Sequence, residues 1–335
     1  MQPDSRKKKA VVIGSGVGGA GIAALLQRAG LDVLLLERND YPGGKASTFE
    51  QEGFSYDTGV HYVASGPKGP HGVLNQRVQG DLQWVLLDPF GRMVCGDKAL
   101  DLPLGMNSLK FKFELVTKVL KVRPRNWLGA LRAYRKLIRA RTEQDVEPYD
   151  HIPLKDFCDQ YTDDDQFHGF INFFCTLAVC VPYTQASAGE FMWILSQMVR
   201  NASTAYPKGG FKAIPEAYIR ALERDGGKVM YGNPVKRIVV EDGEVVGVEA
   251  DRFYEADVVV SNAGIQRTLS LAGEDKFDPE YVEGMKRLQY SYSAITIKYL
   301  LDKPVFRETA IIQYDPDTDL EALYRDVEDG KLPES

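Results

Sequence analysis

Six residues, Gly14-Ser15-Gly16-Val17-Gly18-Gly19, follow directly on the apolar run Lys9–Ile13, and an acid, Glu37, comes 18 residues after the last of them. These residue types at this spacing can hold a dinucleotide. Gly14 permits a tight turn, Gly16 lets the backbone approach a pyrophosphate, and Gly19 lets a helix pack closely on a strand. A helix starting in the loop presents free N–H groups and the positive end of its dipole to phosphates. Glu37 stands where a carboxylate can accept hydrogen bonds from both ribose hydroxyls, and it disfavours a 2′-phosphate. Six residues further on comes Gly43-Gly44-Lys45. Two glycines there let the backbone lie along an extended ligand, and Arg38 or Lys45 can meet its phosphates.

The elements needed to position these residues are legible around them. Lys9–Ile13 suits a buried parallel strand. Ile22, Leu25 and Leu26 recur at helical spacing, Gly30 closes that helix, and Asp32–Leu36 makes a second strand ending at Glu37. A glycine fingerprint alone is weak; here its strand, helix, second strand and acid are all in place. Arg6–Lys9 followed by an uncharged run imitates a signal peptide, but the run carries five glycines, which phosphate binding explains better.

Composition narrows the remaining options. The chain has 335 residues, 44% of them hydrophobic, enough for two domains and a sizeable core. Four cysteines form no C-x-x-C pair and four histidines show no metal-ligand spacing, so neither a disulfide framework nor a metal site is expected, and a reducing cytoplasm is the expected home. No stretch has the 18 or so apolar residues of a membrane span.

The run "ERNDYPGGKAST" settles the cofactor reading. Together with the loop it resembles the FAD signature of the two-dinucleotide-binding-domain flavoproteins, the group that includes amine oxidases and carotenoid desaturases. The stretch Asp57-Thr58-Gly59-Val60-His61-Tyr62 is similar to that of retinol saturases and carotenoid isomerases, within the phytoene desaturase-like group. The resemblance implies that it lies near the flavin, with Gly59 permitting close backbone approach and His61 facing the ring as the one weak catalytic candidate. The alternative for His61 is a satisfied structural histidine.

A second block, Tyr206–Ala250, reads coherently. Gly209-Gly210 open a helix with Ile214, Tyr218 and Leu222 on one face, Lys228–Tyr231 is a strand, and Val235–Val240 and Glu244–Glu249 flank Asp242-Gly243, a type I′ hairpin signal. "ADVVVSNAG" (256–264) is a further buried strand. The block resembles the "P-x-GG … ADVVVSNA" segment of phytoene desaturase-like proteins, which implies that Val235 meets the adenine and that Asn262 passes close to the cofactor. The expected fold is α/β: a Rossmann-like FAD-binding domain of the GR2 type (1–75 and 204–268) with an inserted α+β substrate domain (76–203 and 269–335). Phe170–Val199, apolar and broken at Pro182, reads equally as core or as pocket lining, and Ser291–Leu301 reads as a strand of the same domain.

Residues 110–141 carry eleven Lys/Arg and one acid, a local +10 against −6 for the whole chain, leaving −16 elsewhere. Asn126 can cap a helix with Trp127, Leu131, Tyr134 and Ile138 on one face and Arg132, Arg135, Lys136 and Arg139 toward the other. That is the pattern of an interfacial membrane binder, or of an ordinary surface helix with a solvated basic face. No nucleic-acid-binding fold accompanies it.

The resemblance implies hydride transfer between an apolar isoprenoid and flavin N5, chemistry that needs no acid–base pair, and none stands out. Desaturation, saturation and isomerisation stay open. So do an amine-oxidase-like activity and a non-catalytic role. The family's closing Gly-rich stretch and flavin-facing helix do not follow Ile312, so the chain reads as C-terminally truncated, with a complementary C-terminal chain as an expected partner.

Overall fold

The computed structural model describes residues 6–59, 63–106, 108–293 and 295–332. His61 lies outside them. The chain forms two compact units that interleave in sequence, one from residues up to 85 and from 206 to 290, the other from 86 to 205 and from 291 onward.

Elements of the first unit are labelled in chain order. Four parallel strands, β1 (Lys9–Ile13), β2 (Asp32–Leu36), β5 (Lys228–Met230) and β9 (Val258–Ser261), form a sheet in the order β9-β1-β2-β5. Because side chains alternate across a strand, β1 divides its residues between two cores. Ala10 and Val12 face helices α1 (Val17–Arg28) and α3 (Ala213–Arg224), where they meet Ala20, Ala23, Ala24, Ile214, Tyr218 and Leu222. Val11 and Ile13 face an antiparallel meander, β6 (Arg237–Glu241), β7 (Glu244–Glu249) and β8 (Phe253–Glu255), and meet Ile238, Val248 and Tyr254. The β6–β7 turn has φ of 49° at Asp242 and 81° at Gly243, the two left-handed residues that a type I′ turn requires. A hairpin of β3 (Thr48–Gln51) and β4 (Phe54–Asp57), helix α2 (Pro70–Arg77), and helices α4 (Ile265–Ala272) and α5 (Pro279–Lys286) complete the unit. Leu271 of α4 joins the core beneath the meander, which keeps both closing helices with this unit. The chain therefore leaves it at 290, beyond the boundary at 268 that the resemblance implies.

The second unit pairs a small sheet, with Gly91–Cys95 between Ile311–Gln313 and Lys98–Leu102, with a helical bundle. Helices Asp165–Val179 and Ala188–Asn201 flank Pro182, and Ile171, Cys175, Phe191 and Met192 are buried in the bundle core. The aromatic run 170–199 thus packs largely as core. Two sequence expectations fail in this unit. Asn126 precedes helix Trp127–Leu137 but does not cap it: its backbone is already helical (φ −97°, ψ −6°) as the end of the turn Pro124–Asn126, and its side-chain amide is turned to Asp163 (3.0 Å) and Asp164 (3.2 Å). Ser291–Leu301 forms no strand among its described residues: its Tyr292 N–H donates to the Cys180 carbonyl (3.1 Å) but no strand runs beside it, and Ile295, Ile297 and Tyr299 are exposed.

Candidate cofactor site

The glycine loop occupies the end of β1. Gly14 has φ +90°, and its N–H donates to the Leu36 carbonyl (2.8 Å), tying the turn to the end of β2. Helix α1 then starts at Val17 with Gly16 before it, no side-chain cap and no acid in its first turn. The first N–H groups of a helix have no acceptor within it, so this start is a positive, donor-rich end suited to an anion. Gly19 is packed so tightly that a Cβ there would lie 1.9 Å from the Gly14 carbonyl oxygen. A Cβ on Gly16 or Gly18 would lie 2.9 Å from the side-chain amide of Asn262. Asn262, at the end of β9, is itself fixed by its N–H to the Ile13 carbonyl (2.8 Å). It also borders a cavity of about 590 Å³ walled by Ile238, Val240, Val245, Val259 and Thr268.

Glu37 is buried and engaged on both oxygens. One accepts from the Ser15 N–H and hydroxyl, each at 2.7 Å; the other accepts from the Asn39 N–H at 2.9 Å. A carboxylate offers about four lone-pair positions, so roughly one remains for a ribose hydroxyl. Ser15 spends its amide and hydroxyl on Glu37 and its carbonyl on the Gly43 N–H (3.1 Å), so it supports the loop and has no donor left for a phosphate. That Ser15–Gly43 bond sews the second glycine turn to the first, and Gly44 comes so near that a Cβ there would lie 3.7 Å from the Gly16 Cα. Lys45 and Arg38, the expected phosphate cations, are both exposed beside these turns.

Gly59 lies close to the second turn, a Cβ there being 3.8 Å from the Lys45 carbonyl oxygen, while the neighbouring Thr58 N–H donates to the Ser47 carbonyl (3.0 Å). Val235 shares a buried cluster with Leu36, brought there because the Asn233 N–H donates to the Glu37 carbonyl (2.8 Å). Every described residue of the expected site therefore falls within one unit.

A second acid, Asp57, is also buried. Asp57 accepts from the Thr48 hydroxyl (2.5 Å) and the Phe211 N–H (2.9 Å) on one oxygen and from the Tyr206 hydroxyl (2.5 Å) on the other. It fastens the Gly209-Gly210 turn to the β3–β4 hairpin from which Thr58 and Gly59 lead. Burial first, then the bond to Asp57, pushes the Tyr206 phenol well above its ordinary range. The only local signal was an acid ending a strand, which says nothing of partners some 150 residues away.

These features fit a pyrophosphate-bearing cofactor: an uncapped helix start, two side-chain-free turns against each other, and flanking cations. Residues 20–325 match the description "Flavin containing amine oxidoreductase". The chain belongs to that family. FAD is accordingly its cofactor. Among curated proteins, the all-trans-retinol 13,14-reductase of Danio rerio is 29% identical, over 97% of this chain and 60% of its own length. The lycopene-forming phytoene desaturase of Pseudescherichia vulneris is 24% identical, over 89% of this chain and 64% of its own. An inactive all-trans-retinol 13,14-reductase of Danio rerio is also 29% identical, over 83% and 51%. The chain thus spans about half to two thirds of the length of these relatives. A solved oxidoreductase from Methanosarcina mazei superposes with a TM-score of 0.67 at 25% identity, over 84% of this chain and 65% of its own. For this flavoprotein, among the described residues, no helix is long and apolar enough to cross a membrane.

Proposed function

We propose that the protein is an FAD-dependent oxidoreductase acting on carbon–carbon bonds of an isoprenoid or polyene. What supports the substrate class is that relatives named as a retinol reductase and a phytoene desaturase match 97% and 89% of the chain, the part that carries the glycine cradle. When bound, FAD supplies hydride exchange at N5. The chain's own residues bind and orient it. The α1 start and the Gly43-Gly44 turn would hold the pyrophosphate, Arg38 and Lys45 would neutralise it, and Glu37, which fixes the loop, would offer its remaining lone pair to the ribose. Asp57 holds the segment leading into Gly59 against the Gly209-Gly210 turn. No protein acid or base is required in this scheme.

The first test is the absorbance spectrum of the purified protein, with mass identification of any molecule released on denaturation. Bound FAD, followed by turnover of all-trans-retinol or phytoene, supports the reading. Retained FAD with turnover of amines but not polyenes replaces it with an amine oxidase. A colourless protein that takes up no added FAD leaves a non-catalytic role.

A further inference from the structure

The basic segment shows an unusual division between buried and exposed faces. Helix Trp127–Leu137 turns Ala130, Ala133 and Leu137 to the core, so the bundle is served by its small residues. Its bulky residues face outward: Trp127 is 52% exposed, Leu128 58% and Leu131 46%. At 3.6 residues per turn, Trp127, Leu131, Arg135 and Leu128 fall within roughly 100° of arc, and Arg132 within roughly 40° more. The preceding helix, Leu109–Glu114, repeats the arrangement. Phe111 is buried while Leu109 (85%) and Phe113 (71%), one turn apart, are exposed among Lys110 and Lys112.

The local cations are mostly uncommitted. Lys118 pairs with Glu114, Arg123 with Asp165, and Lys136 lies over the Tyr149 ring. Among the described residues, Arg132, Arg135 and Arg139 have no acidic partner, and the segment carries its net +10. The Trp127 indole N–H already donates to the Val122 carbonyl (2.7 Å), so its ring can enter an apolar medium without stripping water from a free donor.

We propose that the outer face of helix Trp127–Leu137, where Trp127, Leu128 and Leu131 alternate with Arg132 and Arg135, docks on the surface of an anionic lipid bilayer, with exposed Leu109 and Phe113 of the same basic segment as further apolar groups. Apolar side chains interleaved with cations match the acyl–headgroup boundary, where the aliphatic groups enter the outer acyl region and guanidinium groups meet lipid phosphates. A second copy pairing through this same face is a poor occupant, because it would bring +10 against +10. Nucleic acid would satisfy the charge but gives five bulky apolar groups little to do beyond limited stacking.

The test is co-sedimentation with phosphatidylcholine vesicles and with phosphatidylcholine vesicles containing 30% phosphatidylserine, at 0.1 M salt. The protein is expected to prefer the anionic vesicles strongly. Arg132→Gln/Arg135→Gln should weaken that binding about fivefold per charge, so about 25-fold. Leu128→Ser/Leu131→Ser should weaken it about tenfold per leucine, and Trp127→Phe should abolish a vesicle-induced blue shift in emission. All are exposed positions, and circular dichroism checks that each variant is folded. The proposal is overturned if binding is absent or equally weak on both vesicles. It is also overturned if the leucine variant binds as the wild type does and emission is unchanged, which would be electrostatic adhesion without insertion. Tighter binding to single- or double-stranded DNA, or a dimer in sedimentation velocity that shields Trp127 from quencher, would overturn it as well.

Discussion

Alanine placed in turn at Gly18 and Gly19 should separate the two ways a glycine serves the loop. At Gly19 the new Cβ lies 1.9 Å from the Gly14 carbonyl oxygen, which is backbone. Ordinary carbon–oxygen approach is about 3.3 Å, so helix α1 and the end of β1 must part by about 1.4 Å. Overpacking of this kind costs about 1–3 kcal/mol and outweighs the helix-propensity gain of about 1 kcal/mol. It also moves the N–H groups that would face a bound pyrophosphate, each charge-assisted bond being worth about 1.5–3 kcal/mol; losing even one or two should weaken FAD binding about a hundredfold. At Gly18 the obstacle is the Asn262 side chain, 2.9 Å away, which can swing toward the adjoining cavity. Its rotamer cost of about 1 kcal/mol cancels the gain in helix propensity, so Gly18→Ala should keep its melting temperature. Adding Asn262→Ala should then remove the crowding in Gly18→Ala but rescue nothing in Gly19→Ala. The assay is a double-mutant cycle in FAD affinity, followed by flavin fluorescence quenching, with thermal unfolding of each apo variant in parallel. Equal losses at Gly18 and Gly19, or rescue of Gly19→Ala by Asn262→Ala, would refute the packing account of this loop.

Three further predictions follow from the same geometry. Glu37→Gln leaves an amide NH₂ facing a backbone or hydroxyl donor that the carboxylate had accepted, so it should destabilise the first unit by about 2–4 kcal/mol; a urea-unfolding change below 1 kcal/mol would count against the network. Burial pushes the Cys158 and Cys175 thiols up to about 12. An aromatic disulfide reagent at pH 8 should therefore label half-exposed Cys180 in the native protein and reach buried Cys95, Cys158 and Cys175 only after unfolding. Burial lowers the His71 pKa, so the unfolded chain binds a proton there that the folded chain resists. The stability contribution of neutral His71 is present in full above the unfolded value near 6.5 and is lost as pH falls toward the folded value; His71→Asn should flatten the stability profile across that window.

What could be read from sequence was what local chemistry encodes. The glycine loop, the β-α-β order and the Asp242-Gly243 turn depend on residues close together in the chain, and the structure places them accordingly. Partnerships across long separations were not readable. Asn126 has a capping residue's chemistry, yet Asp163 and Asp164 claim its side chain from 37 and 38 residues away. Asp57 gave no hint of Tyr206 or Phe211. The place of Ser15 in the loop suits a ligand residue, whereas Glu37, 22 residues on, claims both of its donors. Alternation along Ser291–Leu301 reports only that a segment is able to be a strand; whether it becomes one depends on a neighbour to pair with.

The lack of a partner strand beside this stretch has a practical consequence for handling the protein. From Leu288 to Leu301 the sequence carries one charge, Lys298, and Ile295, Ile297 and Tyr299 project into solvent at strand spacing. Identical segments from different molecules can supply one another's missing backbone partners, stacking as successive rungs of a growing ladder. Lys298 is then the gatekeeper: its repetition at every rung opposes growth, and it does so less as salt rises. Concentrated preparations should consequently cloud with added salt, and replacing Lys298 with a neutral residue should bring that threshold down.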